Sequence, residues 1–162
     1  MRDEVILVTG GAGFIGSAVI RHLICESEAK VVNVDALTYA ANLANLAGVE
    51  NDPRYCFERV DICSDAELER IFAVHCPTAV LYMAAESHVD RSIDDPIVFV
   101  RTNVLGTAML LQAAYRYWRK LTPAHRARFR FHHVSSDEVY GSLSETVSFS
   151  ESAAMTVTHS RR

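Results

Sequence analysis

The sequence predicts an α/β chain organised on a doubly wound parallel sheet, and three observations carry that prediction. Short apolar runs rich in β-branched residues recur at 5–8, 31–34, 55–60, 79–83 and 129–134, as strands covered on both faces do. Segments with apolar residues at three- and four-residue steps, the helical period, lie between them. Glycine-rich or polar clusters follow the runs directly, where an alternating strand and helix order places ligand-binding loops. At 162 residues the chain has the size of one domain. Hydrophobic residues at 49% and charged ones at 22% match globular averages and exclude a disordered tail, a collagen repeat or a disulfide mini-protein.

Taken in order, Val5-Ile6-Leu7-Val8 makes the first strand and ends at Thr9-Gly10-Gly11. Ile15, Ala18, Val19 and Leu23 then share one helical face, which predicts a helix over 14–25. The second strand, Val31-Val32-Asn33-Val34, stops at Asp35. The stretch 36–54 contains Leu37, Leu43 and Leu46 and is expected to be helical, closed by the turn residues Asn51-Asp52-Pro53. A third strand over 55–60 ends at Asp61. Ser64 or Asp65 caps a helix with Leu68, Ile71 and Phe72 on its inner face and Glu67 and Glu69 near its positive end, and Pro77 stops it. The fourth strand, 79–83, leads into a loop over 84–91. Asp95-Pro96 starts a helix that runs to about Lys120, with Ile97, Val100, Val104, Leu111, Ala114 and Trp118 at helical spacing. Phe99, Leu105, Met109 and Leu110 widen its apolar surface beyond the needs of one sheet face. Helix 95–120 therefore reads either as a fully covered core helix or as the interface of a homodimer. Phe129 to Val134 is the fifth strand.

The formal net charge is −4, with Lys and Arg scattered along the chain, so no electrostatic footprint for nucleic acid or anionic lipid is present. The apolar run 5–8 follows Arg2-Asp3-Glu4 and is far too short for a membrane span or a secretory segment, which predicts a cytoplasmic protein. Cys25, Cys56, Cys63 and Cys76 show no CxxC and no zinc-ligand spacing; ordinary buried thiols and no metal site are expected. His132 and His133 point to opposite faces of their strand, so one buried and one exposed ring is expected rather than a shared metal.

The glycine pattern Gly10-Gly11-Ala12-Gly13-Phe14-Ile15-Gly16 joins the first strand to the first helix. There the chain must turn tightly and let a pyrophosphate approach backbone N–H groups. Asp35 ends the second strand 19 residues after Gly16, where a carboxylate holds ribose hydroxyls. Ala36-Leu37-Thr38 offers no cation to a 2′-phosphate, which favours NAD over NADP. Asp61-Ile62 suits either an adenine amino group or a plain helix cap. Small residues Ala84 and Ala85 end the fourth strand where bulk would collide with a cofactor, and Ser87 in the polar triplet that follows is either a ligand contact or solvated loop. Ser135-Ser136-Asp137-Glu138 presents two adjacent carboxyls that serve one substrate only if the chain curls as it leaves the sheet. Each would then raise the pKa of the other. By spacing alone the cluster reads equally as a cap-and-turn motif.

These residues resemble the extended short-chain dehydrogenase/reductases, and among them the dTDP-glucose 4,6-dehydratases of rhamnose and O-antigen sugar metabolism. The resemblance rests on ILVTGGAGFIGSAV, VVNVDALTYA, AAESHVDRSI, Thr102-Asn103 and FHHVSSDEVYG, and spans residues 4–151. It implies a Rossmann-like domain in which Gly10, Gly13 and Gly16 form the phosphate turn. NAD would then contact Phe14, Ile15, Asp35, Leu37, Thr38, Asp61, Ile62, Ala84, Ala85 and Thr102, with Ser87 and Ser136 facing the sugar nucleotide, dTDP-glucose. It also implies an NAD-dependent lyase that oxidises C4, eliminates water across C5 and C6, and reduces C6. Asp137 would protonate the departing C6 hydroxyl and Glu138 would remove the C5 proton, with Ser136 beside them where relatives carry Thr. Sugar-nucleotide epimerases resemble the chain up to the fifth strand but usually lack the acid pair.

The family's Tyr-xxx-Lys hydride-transfer pair has no counterpart here, because Lys30 and Lys120 are the only lysines and neither follows a Tyr by four positions. The expected organisation is an incomplete dinucleotide-binding domain over 1–151, a divergent tail over 152–162 and no sugar-binding domain, hence a truncated and poorly active form. The alternatives are a non-catalytic NAD-binding or assembly fragment, or another sugar-nucleotide dehydratase or epimerase.

Overall fold

A computed structural model describes residues 4–140 and 150. Strands β1 (Val5–Thr9), β2 (Lys30–Asp35), β3 (Tyr55–Arg59), β4 (Ala79–Tyr82) and β5 (Arg130–His133) form one sheet, with helices α1 (Phe14–Glu26) and α2 (Asp65–His75) crossing over between strands. Every pairing is parallel and the order is β3-β2-β1-β4-β5. The chain winds outward from β1 to β3, then crosses back over β1 to β4. The boundary between β1 and β4 is therefore the point where strand order reverses, and the carboxyl ends of the strands there border the crevice where such sheets bind ligands.

Period-two alternation divides the core between the two faces. Leu7, Val32, Val34, Val80 and Tyr82 face α2 and pack with Leu68, Ile71 and Phe72, as the inner face of that helix predicts. Ile6, Val8 and Val31 face α1 and pack with Ile20 and Ile24. The remaining helices are α3 (Val89–Asp94), then a continuous run of α4 (Pro96–Phe99), a π-helical segment (Val100–Gly106) and α5 (Thr107–Lys120), then α6 (Pro123–Arg128). By length and composition alone, Pro96–Lys120 is apolar enough to cross a membrane. In this fold, however, Leu110, Ala113 and Ala114 of α5 are buried in the core cluster that also holds α2's inner face.

Several expectations from the sequence are corrected. The stretch 36–54 is not a helix: only a 3₁₀ turn, Leu43–Leu46, forms there. Its backbone is engaged elsewhere, because Leu37 takes a left-handed φ of 56° and the Asn42 N–H donates to the Ala12 carbonyl at 2.9 Å. Only Leu46 and Val49 of this stretch reach the core. On helix 95–120 most of the predicted inner face is turned outward: Ile97, Val100, Val104 and Leu111 are exposed, while Leu110, Ala113 and Ala114 are buried. The π segment changes the number of residues per turn, so one 3.6-residue phase does not carry from one half of the run to the other. The cysteines are not fully buried thiols. Cys25 and Cys76 are exposed at helix ends and Cys56 and Cys63 are half-buried. His132 and His133 are both exposed, because β5 is an edge strand, although His133 stacks on Tyr82 with ring centroids 4.6 Å apart. The loop expected over 84–91 already enters α3, and the short helix α6 carries no signal in the hydrophobic pattern.

Candidate functional site

At the carboxyl end of β1, Gly10 turns with φ +70°, and a Cβ there would lie 2.8 Å from the Ala84 Cα. The exits of β1 and β4 thus pack backbone against backbone, which no side chain at position 10 permits. A side chain at Gly16 would overlap the Gly10 carbonyl and lie 2.8 Å from the Gly11 Cα. Gly13 differs. Its φ is −75°, open to any residue, and an added Cβ would meet only the Gly10 carbonyl oxygen, at 3.2 Å. The protein itself does not require a glycine there. What the missing side chain leaves open is access to the first turn of α1, whose N-cap is Gly13 and which no side chain caps. An uncapped helix N-terminus offers N–H donors and a positive dipole end to a phosphate. The two residues after Gly13 are solvent-facing, Phe14 at 88% and Ile15 at 63% exposure.

Asp35 ties this turn to the exit of β2. Its Oδ2 accepts the Ala12 N–H at 2.9 Å and its Oδ1 accepts the Leu37 N–H at 2.8 Å, so each oxygen keeps a second lone pair for another donor. The carboxylate is nearly buried, at 9% exposure. With the Gly13 opening and the helix N-terminus, it makes a donor and acceptor set that fits the pyrophosphate and ribose hydroxyls of a dinucleotide. At the β3 exit, the Asp61 carboxylate accepts the Cys63 N–H at 2.8 Å and pairs with Arg101 at 3.4 Å. Asp61 does not cap α2, whose N-cap is Ser64. The Ile62 side chain is in the core, against Gly106, where a Cβ would meet the Ile62 Cδ1 at 2.7 Å. That close approach sets the π segment, with Thr102, beside the β3 exit. At the β4 exit, the N–H groups of Met83 and Ala84 both donate to the Thr9 Oγ1 at 3.2 Å. Ala85 and Ser87 are exposed.

The sequence reading gave no individual role to five residues of this edge: Asn103, Thr107, Glu86, Tyr39 and Arg91. Asn103 clamps the β4 exit: its Oδ1 accepts the Glu86 N–H and its Nδ2 donates to the Glu86 carbonyl, both at 2.8 Å. The same helical turn is tied to β4 through Thr107, which donates to the Asn103 carbonyl at 2.5 Å and lies 2.6 Å from the Tyr82 hydroxyl. Buried Glu86 meets the Tyr39 hydroxyl, and the Arg91 guanidinium lies 3.7 Å over the Tyr39 ring. Partial desolvation, followed by the charge and hydrogen bond of Glu86, pushes the Tyr39 phenol up, with Arg91 opposing. This cluster bridges the β2 and β4 exits over the crevice edge. A polar residue at the end of an apolar strand was the available signal for Glu86; nothing in the spacing pairs it with Tyr39.

After β5 the Val134 N–H donates to the Tyr82 carbonyl at 3.0 Å, and the backbone then curls into a 3₁₀ turn, Asp137–Tyr140. The curl that two adjacent carboxyls require is therefore present in the chain. Ser136 is exposed just before it. The side chains of Asp137 and Glu138 lie outside the described residues.

The family described as GDP-mannose 4,6 dehydratase matches residues 7–159. The chain belongs to this family. That agrees with the resemblance to extended short-chain dehydrogenase/reductases and with the Rossmann-like sheet. Among curated members, a dTDP-glucose 4,6-dehydratase of Neisseria gonorrhoeae is 57% identical over 141 residues, which is 87% of this chain and 41% of that protein. The chain thus spans about two-fifths of the length of such relatives. Among solved structures, a dTDP-glucose 4,6-dehydratase of Streptomyces venezuelae with NAD and TYD bound superposes with a TM-score of 0.81. It is 43% identical over 94% of this chain and 45% of its own. A UDP-glucose 4-epimerase of Thermus thermophilus in complex with NAD superposes with a TM-score of 0.77 at 29% identity, covering 94% of this chain and 44% of that one.

Proposed function

We propose that residues 1–151 form the NAD-binding domain of a dTDP-glucose 4,6-dehydratase-type lyase, a cytoplasmic enzyme of deoxysugar supply. The observation that carries this reading is the Asp35 carboxylate joining the Ala12 and Leu37 N–H groups beside the open Gly13 and the uncapped start of α1. That is a ribose-and-phosphate geometry, Ala36-Leu37-Thr38 directly after Asp35 offers no cation to a 2′-phosphate, and the similarity to the Neisseria dehydratase supports the sugar-nucleotide chemistry. NAD, when bound, supplies the hydride acceptor for sugar C4 and the donor for C6. Phe14, Ile15, Leu37, Thr38, Asp61, Ile62, Ala84, Ala85 and Thr102 border its groove in this reading, and Ser87 and Ser136 approach the sugar nucleotide. Asp137 protonates the leaving C6 hydroxyl and Glu138 takes the C5 proton. The two roles need opposite protonation states at one pH.

The chain has no Tyr-xxx-Lys pair, so in this reading the 162-residue chain binds NAD and turns over negligibly on its own. The exposed apolar residues Ile97, Val104 and Leu111 support pairing of two copies through helix 95–120, which sedimentation velocity tests. The deciding experiment titrates the full chain with NAD⁺ and NADP⁺, then adds dTDP-glucose and follows the alkaline absorbance of a 4-keto sugar. Preferential NAD⁺ binding is expected. A folded chain that binds neither dinucleotide refutes the assignment. Binding without keto sugar supports the non-catalytic fragment, whereas keto sugar formation shows that the hydride-transfer base is supplied by another residue.

A further inference from the structure

On the α2 side of the sheet, away from the strand exits, three side chains of metal-ligating type converge. Cys56 and Glu58 are two apart on β3 and share a face. Their partners in register, Val32 and Val34, belong to the core cluster on the α2 side. His75 is the last residue of α2. The Cys56 thiol, a Glu58 carboxylate oxygen and a His75 ring nitrogen all lie within 4.8 Å of one another, and all three residues are half-buried. His75 Nε2 is 2.7 Å from Glu58 Oε1, with the two side chains only 16% and 18% exposed.

Glu58 already has a cation beside it. The Arg70 guanidinium forks onto its carboxylate at 3.2 and 2.7 Å. Arg70 also donates from Nε to Glu67 at 2.9 Å, and its side chain is 41% exposed. It can therefore release Glu58 and stay paired to Glu67 at the surface. The carboxylate is an anionic donor with an exchangeable counter-charge, next to an imidazole and a thiol.

We propose that Cys56, Glu58 and His75 bind a zinc-type divalent cation, with water as the fourth ligand, fastening the end of α2 to the edge strand β3. Thiolate, imidazole and carboxylate together form a donor set that suits zinc and not magnesium or calcium. Bond lengths of about 2.0–2.3 Å place the donors of a tetrahedral site about 3.3–3.7 Å apart, so side-chain adjustments of about an ångström close the site. On binding, the Cys56 S–H proton goes to solvent, the His75 Nε2 proton that bonds Glu58 is lost from Nε2 as the ring takes its Nδ1–H tautomer, the sulfur, nitrogen and carboxylate bonds to the metal form, and Arg70 leaves Glu58; no redox step occurs. Cys56 is the second residue of β3, so the cluster sits toward the amino edge of the sheet and serves structure rather than the crevice chemistry.

The test uses the full chain carrying Cys76→Ser, which removes the exposed thiol next to His75. Titration with Co²⁺ is expected to give one ion per chain and a thiolate-to-cobalt charge-transfer band that Zn²⁺ abolishes. Loss of outer-sphere partners alone weakens metal sites about 10–100-fold, so Cys56→Ser is expected to remove the band and weaken Zn²⁺ binding by at least about 100-fold. His75→Gln does the same and decides the matter if Cys56→Ser does not fold, as judged by circular dichroism without metal. Arg70→Ala removes the competing cation and is expected to tighten Zn²⁺ several-fold, a change that adventitious thiol binding would not show. The proposal is overturned if the Cys76→Ser chain binds no stoichiometric Co²⁺, if the band survives Cys56→Ser or His75→Gln, or if Arg70→Ala leaves the affinity unchanged.

Discussion

Gly13→Ala separates what the glycine turn does for the fold from what it does for a ligand. The protein tolerates the methyl: φ of −75° is ordinary for alanine, and the only close neighbour is the Gly10 carbonyl oxygen at 3.2 Å, a contact relieved by a few tenths of an ångström. Lower entropy of the unfolded chain stabilises by about 0.4–1 kcal/mol. The poorer N-cap propensity of alanine costs up to about 1 kcal/mol, so the net change in stability lies within about 1 kcal/mol of zero. A bound pyrophosphate fares differently. Its oxygens must come within about 2.9 Å of backbone nitrogens, and a methyl group on the open side holds them off. Losing two charge-assisted hydrogen bonds at about 1.5–3 kcal/mol each removes at least about 3 kcal/mol. The expected consequence is a Kd for NAD⁺ raised by about 100-fold or more. Gly10→Ala is the control: left-handed strain of about 1–2 kcal/mol and a 2.8 Å approach to the Ala84 Cα damage folding itself. Circular-dichroism melts and calorimetric NAD⁺ titration below the melting range measure both quantities. A folded Gly13→Ala chain that binds NAD⁺ within about threefold of the parent refutes the phosphate-cradle argument.

Asp35→Asn leaves one acceptor oxygen for two backbone N–H groups. It is expected to cost about 1–3 kcal/mol in denaturant unfolding and to narrow the preference for NAD⁺ over NADP⁺, read by parallel titrations. Asn103→Ala removes both bonds that hold Glu86 and is expected to destabilise by about 1–3 kcal/mol, with faster amide exchange at Glu86. Arg54 donates to the Ile24 and Ser27 carbonyls at the end of α1 and to Asp52, so Arg54→Ala is expected to lower the chemical-denaturation midpoint. Those same Arg54 hydrogen bonds, side chain first and then backbone, hold the Asp52 carboxyl below its ordinary value of 3.8. Because the folded-state value is the lower one, the stabilisation is present above the ordinary value and is lost as pH falls through the folded one. Unfolding midpoints of Asp52→Asn and the parent should therefore converge on acidification.

The sheet and the glycine turn are legible because their signals are local. β1, β2 and α1 form where apolar runs, glycines and helical spacing coincide, and Asp35 ends β2 where its carboxylate meets the Ala12 and Leu37 N–H groups. The stretch 36–54 misleads because its leucines imitate a helical face, while Asp35 and Ala12 draw its backbone into the crevice edge; that competition is tertiary. The face of helix 95–120 is misjudged for a related reason. Gly106 lets the helix settle on Ile62, and the π segment that accompanies it breaks the period on which the reading depends. The pairing of Tyr39 with Glu86 and Arg91, and the convergence of Cys56, Glu58 and His75, join positions on different elements, which no spacing along one chain encodes.

The two halves of the proposed site are held by different means. The dinucleotide half is built from the exits of β1, β2 and β4, joined by backbone N–H groups bonded to the Asp35 carboxylate and the Thr9 hydroxyl, around strands whose inner residues are nearly all buried. The proposed acid pair follows β5, which among the described residues has a neighbour on one side of the sheet and whose residues are exposed or half-buried. That strand is held by its backbone ladder to β4, by Phe129 and Phe131 packed on the core, and by Tyr82. Tyr82 is buried, bonds Thr107 at 2.6 Å, stacks on His133 and meets Phe131 at 6.3 Å between ring centroids. In the proposed reading, the two halves of the site thus rest on structurally separable supports. The crevice at β1 and β4 keeps its shape from bonds among buried central strands, whereas the position of residues 137–140 depends on a four-residue ladder to β4 and on the aromatic contacts of Phe129, Phe131 and His133.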